Sequence, residues 1–281
     1  MSSLQEICCC IGMPVAGNPT QYMMETAFQR AGLLDWRFLT FEVSADNFPD
    51  AMRGFRVLGF RGGMIILPHE QAVLEFIDDL TEPARLCGAV NCVTRENDRL
   101  VGDNTDGRGF LQSLRQATDP AGKRVAILGA GGTARAIAAE LALAGAGPIA
   151  IVNRTESRGR ELVDLLSGET GARAELAVWE GDFAIDPEID ILINATSIGH
   201  LDPDAMPPVV LDSLRRELIV ADVVFHPAQT RLVDAAADRG CVTLDGLGML
   251  VNQGVIAFQN WTGVEPDALA MREAVEEFLS V

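Results

Sequence analysis

The sequence is poor in the residues that metal sites and disulfide frameworks need. It has six cysteines and three histidines in 281 residues, and no two cysteines form a Cys-x-x-Cys pair. Cys8, Cys9 and Cys10 lie in an apolar run that predicts a buried strand, where thiols act as small hydrophobic side chains. We therefore expect reduced thiols in the core and no metal site, as is usual for a cytosolic protein.

Basic residues are also scarce, and no apolar run is long enough to cross a bilayer. Lys and Arg number 22 against 40 Asp and Glu, which gives a formal net charge of −18. A surface of that sign repels nucleic acid and anionic membranes, so we expect neither as a partner. The N-terminus lacks the pattern of a secretion signal, so we expect a cytoplasmic monomer or homodimer that acts on a small molecule.

What the chain does contain is a dinucleotide-binding pattern. An apolar run leads into Gly129, Ala130, Gly131, Gly132, Thr133 and Ala134, and an alanine-rich helical pattern follows. In such a pattern the first glycine permits a tight turn, the second lets the backbone approach a pyrophosphate, and a small residue, here Ala134, lets the helix lie close to the strand. The helix N-terminus adds N–H groups and a partial positive charge. An ordinary glycine-rich turn is the alternative, and the strand–helix–strand context argues against it.

The end of the next apolar strand, residues 148–152, favours NADP over NAD. A site for NAD usually has a carboxylate there to hold the ribose hydroxyls. This chain has Asn153, Arg154 and Thr155, with Arg158 one helical turn further on. The planar, permanently charged guanidinium suits a 2′-phosphate, so we predict NADP as the cofactor; the alternative is two solvated arginines at a helix start.

Alternating strand and helix patterns predict an α/β protein with two domains. Apolar strand candidates at 7–11, 36–43 and 64–67 alternate with helical patterns, and 89–94 with 100–101 predicts a small hairpin. A turn-rich segment at 119–122 is interpreted as the domain junction. From Arg124 onward, strands and helices alternate, which predicts a parallel sheet covered by helices on both faces.

Four further segments are rich in small and polar residues and lack the periodicity of a core: 88–91, 102–109, 194–199 and 245–253. Together with the glycine pattern, and with 222–227 followed by Thr230 and Leu232, they resemble the shikimate dehydrogenase family over the whole chain. The resemblance implies a substrate-binding domain at 1–118, a Rossmann-type NADP-binding domain at 119–246, and C-terminal helices at 247–281 that pack back on the substrate domain. It also implies an active site in the cleft between the domains and a place in aromatic amino acid biosynthesis.

The resemblance further implies roles for individual residues. In the family a lysine exchanges a proton with the ring hydroxyl while hydride passes to nicotinamide, and an aspartate, here Asp106, orients and polarises the substrate. Asn91 and Gln253 match residues that hold substrate hydroxyls. The positions that match the family's cofactor-lining residues, beyond the glycine pattern and the strand end at 153–158, are Thr196, Ser197, Val223, Gly246 and Met249.

The substrate half departs from the family pattern. Glu70 stands where the catalytic lysine belongs, and Ile66 where a substrate-binding threonine does. Asn18 and Thr20 replace the serines that take the substrate carboxylate, and Phe225 replaces a carboxylate-binding tyrosine. Two carboxyls that share a site cannot both ionise cheaply, so Glu70 opposite Asp106 could serve as a general base. These changes disfavour an anionic substrate. We expect a substrate that is neutral or cationic at the edge that faces these residues.

His69 is a second candidate for the base. Neighbours on an extended segment point to opposite faces, so His69 should point away if Glu70 faces the substrate. Two functions stay open: an NADP-dependent oxidoreductase for a shikimate-like cyclic alcohol or ketone, with an altered substrate, or a catalytically weak homologue that binds NADP and a metabolite as a sensor or accessory protein. The presence of Asp106 beside Asn91 and Gln253 favours the enzyme.

Overall fold

The computed structural model describes residues 5–200 and 202–281, which form an α/β fold. The strands are β1 (Glu6–Gly12), β2 (Trp36–Glu42), β3 (Gly62–Ile65), β4 (Asp79–Leu80), β5 (Cys92–Glu96), β6 (Arg99–Asp103), β7 (Val125–Leu128), β8 (Ile149–Asn153), β9 (Ala174–Val178), β10 (Ile191–Asn194), β11 (Ile219–Asp222) and β12 (Val242–Leu244). The α-helices are α1 (Thr20–Arg30), α2 (Phe48–Val57), α3 (Glu82–Cys87), α4 (Asp106–Leu114), α5 (Gly132–Leu143), α6 (Glu156–Leu165), α7 (Arg231–Asp238), α8 (Gly246–Thr262) and α9 (Ala268–Leu279). Within the described ranges, no helix is both long enough and apolar enough to cross a membrane.

The described chain divides into two compact units. The first unit runs to Thr105 and includes Val251–Ser280, and the second comprises Asp106–Leu250. The first boundary between the two units therefore precedes α4, whereas we expected the boundary between the domains after residue 118. Helix α4 belongs to the second unit because it packs tightly on α5: a Cβ atom added at Gly107 would lie 2.3 Å from the carbonyl oxygen of Ala136. The second boundary falls inside α8 rather than at its start.

The first unit is built on a six-stranded mixed sheet in the order β2-β1-β3-β5-β6-β4. Strand β1 lies inside this sheet, parallel to both neighbours, and its Cys8, Cys9 and Cys10 are fully buried free thiols. The predicted hairpin is confirmed, since β5 and β6 pair antiparallel with Cys92 opposite Asp103. Helices α1 and α9 pack against one another in the same unit.

The second unit contains a six-stranded sheet in the order β12-β11-β10-β7-β8-β9, and every pairing in it is parallel. Alternate residues of the central strands enter two separate cores; Ile127 contributes to one and Leu128 to the other. Burial on both faces explains why these strands are continuously apolar. The strand order reverses between β7 and β10, and such a switch point is where ligands bind in sheets of this type.

Candidate active site

The glycine turn after β7 has the backbone geometry that its sequence predicts. Gly129 has a φ of 109°, and a Cβ there would lie 2.9 Å from the carbonyl oxygen of Ala195, so only glycine fits. A Cβ at Gly131 would meet no atom within 4 Å, which leaves the backbone beside the start of α5 open to a ligand. Ala134 is fully buried in the core under this helix, the packing role expected for it.

A cavity of about 230 Å³ lies at the carboxyl ends of β7, β8, β9 and β10. Its lining residues are Gly129, Ala130, Gly131, Asn153, Arg154, Trp179, Ala195, Thr196, Ser197 and Ile198. The cavity thus brings together the glycine turn, the end of β8 and the loop after β10, three segments that the sequence assigns to cofactor binding. Sequence reasoning missed Trp179, which directly follows β9; that edge strand has no buried position, which gave it only a weak strand signal.

The end of β8 carries exposed cations beside this cavity. Asn153 donates a hydrogen bond from Nδ2 to the carbonyl oxygen of Thr155 at 2.8 Å, which fixes the turn into α6. Arg154 and Arg158 are exposed, and neither forms an ion pair with any residue that the structure describes. Arg160 on the same helix is instead paired with Glu156 at 2.9 Å. The cations at 154 and 158 are therefore the ones that could receive a phosphate.

A buried network holds the loops that follow β10 and β11. Asn194 donates from Nδ2 to Asp222 Oδ1 at 2.9 Å, and its Oδ1 accepts from Thr196 Oγ1 at 2.7 Å. Thr230 donates to the other carboxylate oxygen of Asp222 at 2.8 Å, and the backbone N–H of Val224 donates to Oδ1 at 3.0 Å. Burial raises the pKa of Asp222, although these three donors act in the opposite direction. The network fixes the cavity-lining Thr196 loop relative to the segment that starts at Val223.

The other cofactor candidates of the second unit lie outside the lining of this cavity. A Cβ at Gly246 would lie 2.4 Å from the carbonyl oxygen of Val224, so a close backbone approach requires glycine there. Met249 is buried in the core of the unit, and Val223 is half-buried. Gly132 and Thr155 directly follow lining residues in sequence, whereas Thr133 and Arg158 lie two and four residues beyond the nearest one. The contact of Gly246 and Met249 with nicotinamide stays a prediction.

In the first unit, two predicted substrate residues meet around a third that was not predicted. The backbone N–H of Thr105 donates to Asn91 Oδ1 at 2.8 Å, and Asn91 Nδ2 donates to Thr105 Oγ1 at 3.1 Å. The same hydroxyl lies 3.4 Å from Gln253 Oε1. All three side chains are buried, Thr105 completely. The sequence signal for Thr105 is its place in the Asn-Thr-Asp block at 104–106, in which the family resemblance assigns a role to Asp106 only.

The structure gives the two candidate bases, His69 and Glu70, different environments. His69 is 1% exposed, its ring stacks on Phe48 at 4.1 Å between ring centres, and its Nε2 lies 2.7 Å from the carbonyl oxygen of Val43. These contacts give His69 a structural role. Glu70 is half-buried, and its carbonyl oxygen accepts a hydrogen bond from the N–H of Val90 at 2.8 Å. Glu70 thus remains the candidate for proton transfer on this segment.

No other lysine can stand in for the one that Glu70 replaces. The chain's single lysine is Lys123, in the second unit. It precedes β7, at the end of the sheet opposite to the cavity, and its Nζ lies 3.8 Å from Asp190 Oδ1. Proton transfer by a lysine is therefore not available to this chain.

The remaining substrate candidates serve local structure as well. Asn18 Oδ1 accepts a hydrogen bond from the N–H of Thr20 at 2.9 Å at the start of α1. Ile66 fills the space over Gly12: a Cβ atom added at Gly12 would lie 2.1 Å from Cγ1 of Ile66. Phe225, in the second unit, is half-buried with its ring 5.7 Å from that of His200. Asp106 is the first residue of α4, where a carboxylate is favoured by the helix dipole.

Comparisons with known proteins agree with this arrangement. Three family models match: the shikimate dehydrogenase substrate-binding domain over 10–93, shikimate/quinate 5-dehydrogenase over 112–202, and the shikimate 5′-dehydrogenase C-terminal domain over 246–276. The shikimate dehydrogenase (NADP(+)) of Methanopyrus kandleri is 41% identical over 96% of this chain and 94% of its own.

Solved structures are similar over nearly the whole chain. The ligand-free 5-ketofructose reductase of Gluconobacter sp. strain CHM43 is 48% identical, with a TM-score of 0.95 over 98% of this chain and 99% of that one. A shikimate dehydrogenase in complex with NADP+ is 32% identical, with a TM-score of 0.90 over 97% and 95% of the two chains. The similarity therefore includes both units.

Proposed function

Because this chain belongs to the shikimate dehydrogenase family, we propose that it is an NADP-dependent oxidoreductase that interconverts a ketone and a hydroxyl on an uncharged polyhydroxylated substrate. The observation that carries the proposal is Glu70 in place of the family's lysine, in a chain whose one lysine lies in the other unit. The first substrate to consider is 5-ketofructose, after which the 48% identical relative is named.

The charge of the substrate site supports this substrate class. Shikimate is a carboxylate, and a glutamate that replaces a lysine exchanges attraction for repulsion of such an anion. Phe225 has no hydroxyl to offer a carboxylate. A ketose such as 5-ketofructose is uncharged and presents only hydroxyl and carbonyl groups, which suit the amides of Asn91 and Gln253.

The residues of the second unit fit NADP. The open backbone at Gly131 and the N-terminus of α5 suit a pyrophosphate. Arg154 and Arg158 suit the 2′-phosphate, because they are exposed and form no ion pair within the described ranges. With a net charge of −18 for the whole chain, such local cations and backbone dipoles must supply the attraction for an anionic cofactor.

The proposed chemistry assigns proton transfer to this chain's carboxyl groups. NADPH, when bound, supplies a hydride to the carbonyl carbon, and NADP+ accepts one in the reverse direction. The carbonyl oxygen gains a pair of electrons in the reduction and needs a proton, which the carboxyl of Glu70 would donate and then regain from water. Asp106 would orient and polarise the substrate, while Asn91 and Gln253 would hold its hydroxyls.

A comparison of substrates tests the proposal. The purified protein is mixed with NADPH and 5-ketofructose, and separately with NADP+ and shikimate or quinate, and the nicotinamide absorbance is followed. We expect reduction of 5-ketofructose to have the larger kcat/KM, and NADH to serve poorly in place of NADPH. Faster oxidation of shikimate would reject the substrate class. No turnover of any of these compounds by a protein that binds NADP+ would instead support the accessory-protein alternative.

A further inference from the structure

Trp179 lines the cavity at the ends of β7 to β10, although the dinucleotide-binding pattern gives it no role. We propose that Trp179 belongs to the adenine site, where the exposed part of its indole forms a wall against which the adenine of NADP packs. This inference rests on the proposed function, because it assumes NADP as the ligand. It assigns to cofactor recognition a residue that lies outside the glycine turn and the end of β8.

The strand order indicates which part of the cofactor Trp179 would meet. In sheets of this topology the pyrophosphate lies at the turn after the first strand, here at Gly131, and the adenosine ribose lies at the end of the next strand. That next strand is β8, which ends at Asn153. Strand β9 pairs with β8 on the side away from β7, and Trp179 is the first residue after it. A nucleotide that runs from Gly131 past Asn153 therefore reaches Trp179 with its base.

Contacts on both sides of the residue hold the indole in place. The backbone N–H of Trp179 donates to the carbonyl oxygen of Asn153 at 3.0 Å, so the wall is tied directly to the end of β8. The indole Nε1 donates to the carbonyl oxygen of Pro208 at 3.1 Å. The residue is 7% exposed, packs in the core with Val152 and Val209, and lines the cavity. A wall that is already ordered loses little entropy when a base packs on it.

Arg154 lines the same cavity and adds a second group suited to a purine. Guanidinium groups pack on aromatic rings, and bases pack on indoles in a sequence-tolerant way. A cation that binds the 2′-phosphate, next to an indole that meets the base, would select an adenosine nucleotide by two different interactions. The chain offers built-in controls, because its other tryptophans, Trp36 and Trp261, are buried in the first unit.

Tryptophan fluorescence during titration with adenosine 2′,5′-bisphosphate tests the inference, because this compound has the adenine and the 2′-phosphate but no nicotinamide. Binding is measured in parallel by calorimetry on wild type, W179F, W36F and W261F. We expect saturation to change the emission of wild type, W36F and W261F. W179F should bind with a Kd within about threefold of wild type but show no change in emission. W179A should bind about tenfold more weakly, a difference of about 1.4 kcal/mol.

The outcomes separate this inference from the proposed function. If the bisphosphate binds and the emission change persists in W179F, or is absent from wild type, the inference is overturned while NADP binding stands. If calorimetry detects neither the bisphosphate nor NADP+ on wild type, both the inference and the proposed function are overturned. W179F keeps an aromatic ring in the core, so the test does not depend on whether W179A folds.

Discussion

At the scale of single residues, Thr105 fixes the orientation of the Asn91 amide and contacts the amide of Gln253. A backbone N–H can only donate, so the Asn91 atom 2.8 Å from the N–H of Thr105 must be the amide oxygen. Asn91 Nδ2 then donates to the Thr105 hydroxyl, whose single proton has two acceptors within reach, Asn91 Oδ1 at 3.2 Å and Gln253 Oε1 at 3.4 Å. The amide oxygen of Asn91 is thus used inside the protein. We infer that Thr105 holds both amide side chains in the position from which they meet the substrate.

Replacing the hydroxyl of Thr105 by a methyl group should weaken substrate binding selectively. We expect T105V to raise the KM for 5-ketofructose about fivefold, since a neutral hydrogen bond contributes about 1 kcal/mol, and T105S to restore it. The KM for NADPH should not change in either variant. T94V is the matched control, because the buried hydroxyl of Thr94 has no hydrogen-bond partner in the described chain. Equal effects of T94V and T105V on the KM would contradict this role.

At the scale of elements, we predict that the start of α6 decides between the two nicotinamide dinucleotides. Arg154 precedes this helix and lines the cavity, whereas Arg160 lies further along it and pairs with Glu156. R154S should raise the Kd of NADP+ roughly tenfold or more, because a hydrogen bond to a charged phosphate contributes about 1.5–3 kcal/mol. The Kd of NAD+ should stay within about twofold, and R160S should change neither value. Calorimetric titrations provide the measurement, and a parallel loss for both dinucleotides would contradict the assignment.

A second element-scale prediction concerns acid stability where α2, β4 and β6 meet. Asp78 accepts a hydrogen bond from the N–H of Leu100 at 2.7 Å and pairs with Arg56 at 2.9 Å, and these contacts lower its pKa, the Leu100 bond first. A lowered pKa contributes stability above the ordinary value of about 3.8 that is lost as the pH falls through the folded value.

D78N should therefore be modestly less stable than wild type at pH 7, by less than about 1 kcal/mol for so exposed a pair, and the difference should vanish in acid. Urea unfolding at a series of pH values measures this difference. D50N is the control, since it removes a carboxylate that pairs with Arg53 within α2. A difference that grows in acid would contradict the account.

The elements also explain what the sequence could and could not predict. The apolar run of β7 and its glycine turn were predictable, because burial on both faces and a positive φ leave few choices of residue. Strand β9 was missed because it is an edge strand with no buried position, and Trp179 was missed with it. We expected the boundary between the units after α4 because the turn-rich segment at 119–122 breaks the pattern there, whereas the close packing of α4 on α5 through Gly107 leaves no apolar signal. Hydrogen-bond networks such as that of Asp222 join residues far apart in sequence, so no local pattern predicts them.

At the scale of the whole molecule, the cysteines are spread over both units but share one environment. All six are free and buried, and burial raises the pKa of Cys10 to about 12 and raises that of Cys241 as well. Thiolates are the reactive form, so the native protein should react slowly with a disulfide reagent at pH 8, and six thiols should react after unfolding. Cys241, 9% exposed, should react first, and C241S should remove that phase. Rapid modification of several thiols in the native protein would contradict the described burial.

The central claim is that Glu70 determines the substrate class, and the kcat/KM of E70K for 5-ketofructose and for shikimate tests it most directly. The control is E75K, which makes the same charge change at an exposed glutamate. The account predicts that E70K shifts the ratio of the two kcat/KM values toward shikimate, because a lysine at this position attracts a carboxylate that a glutamate repels, and that E75K leaves the ratio unchanged. An unchanged ratio in E70K, equal to that of E75K, would contradict it.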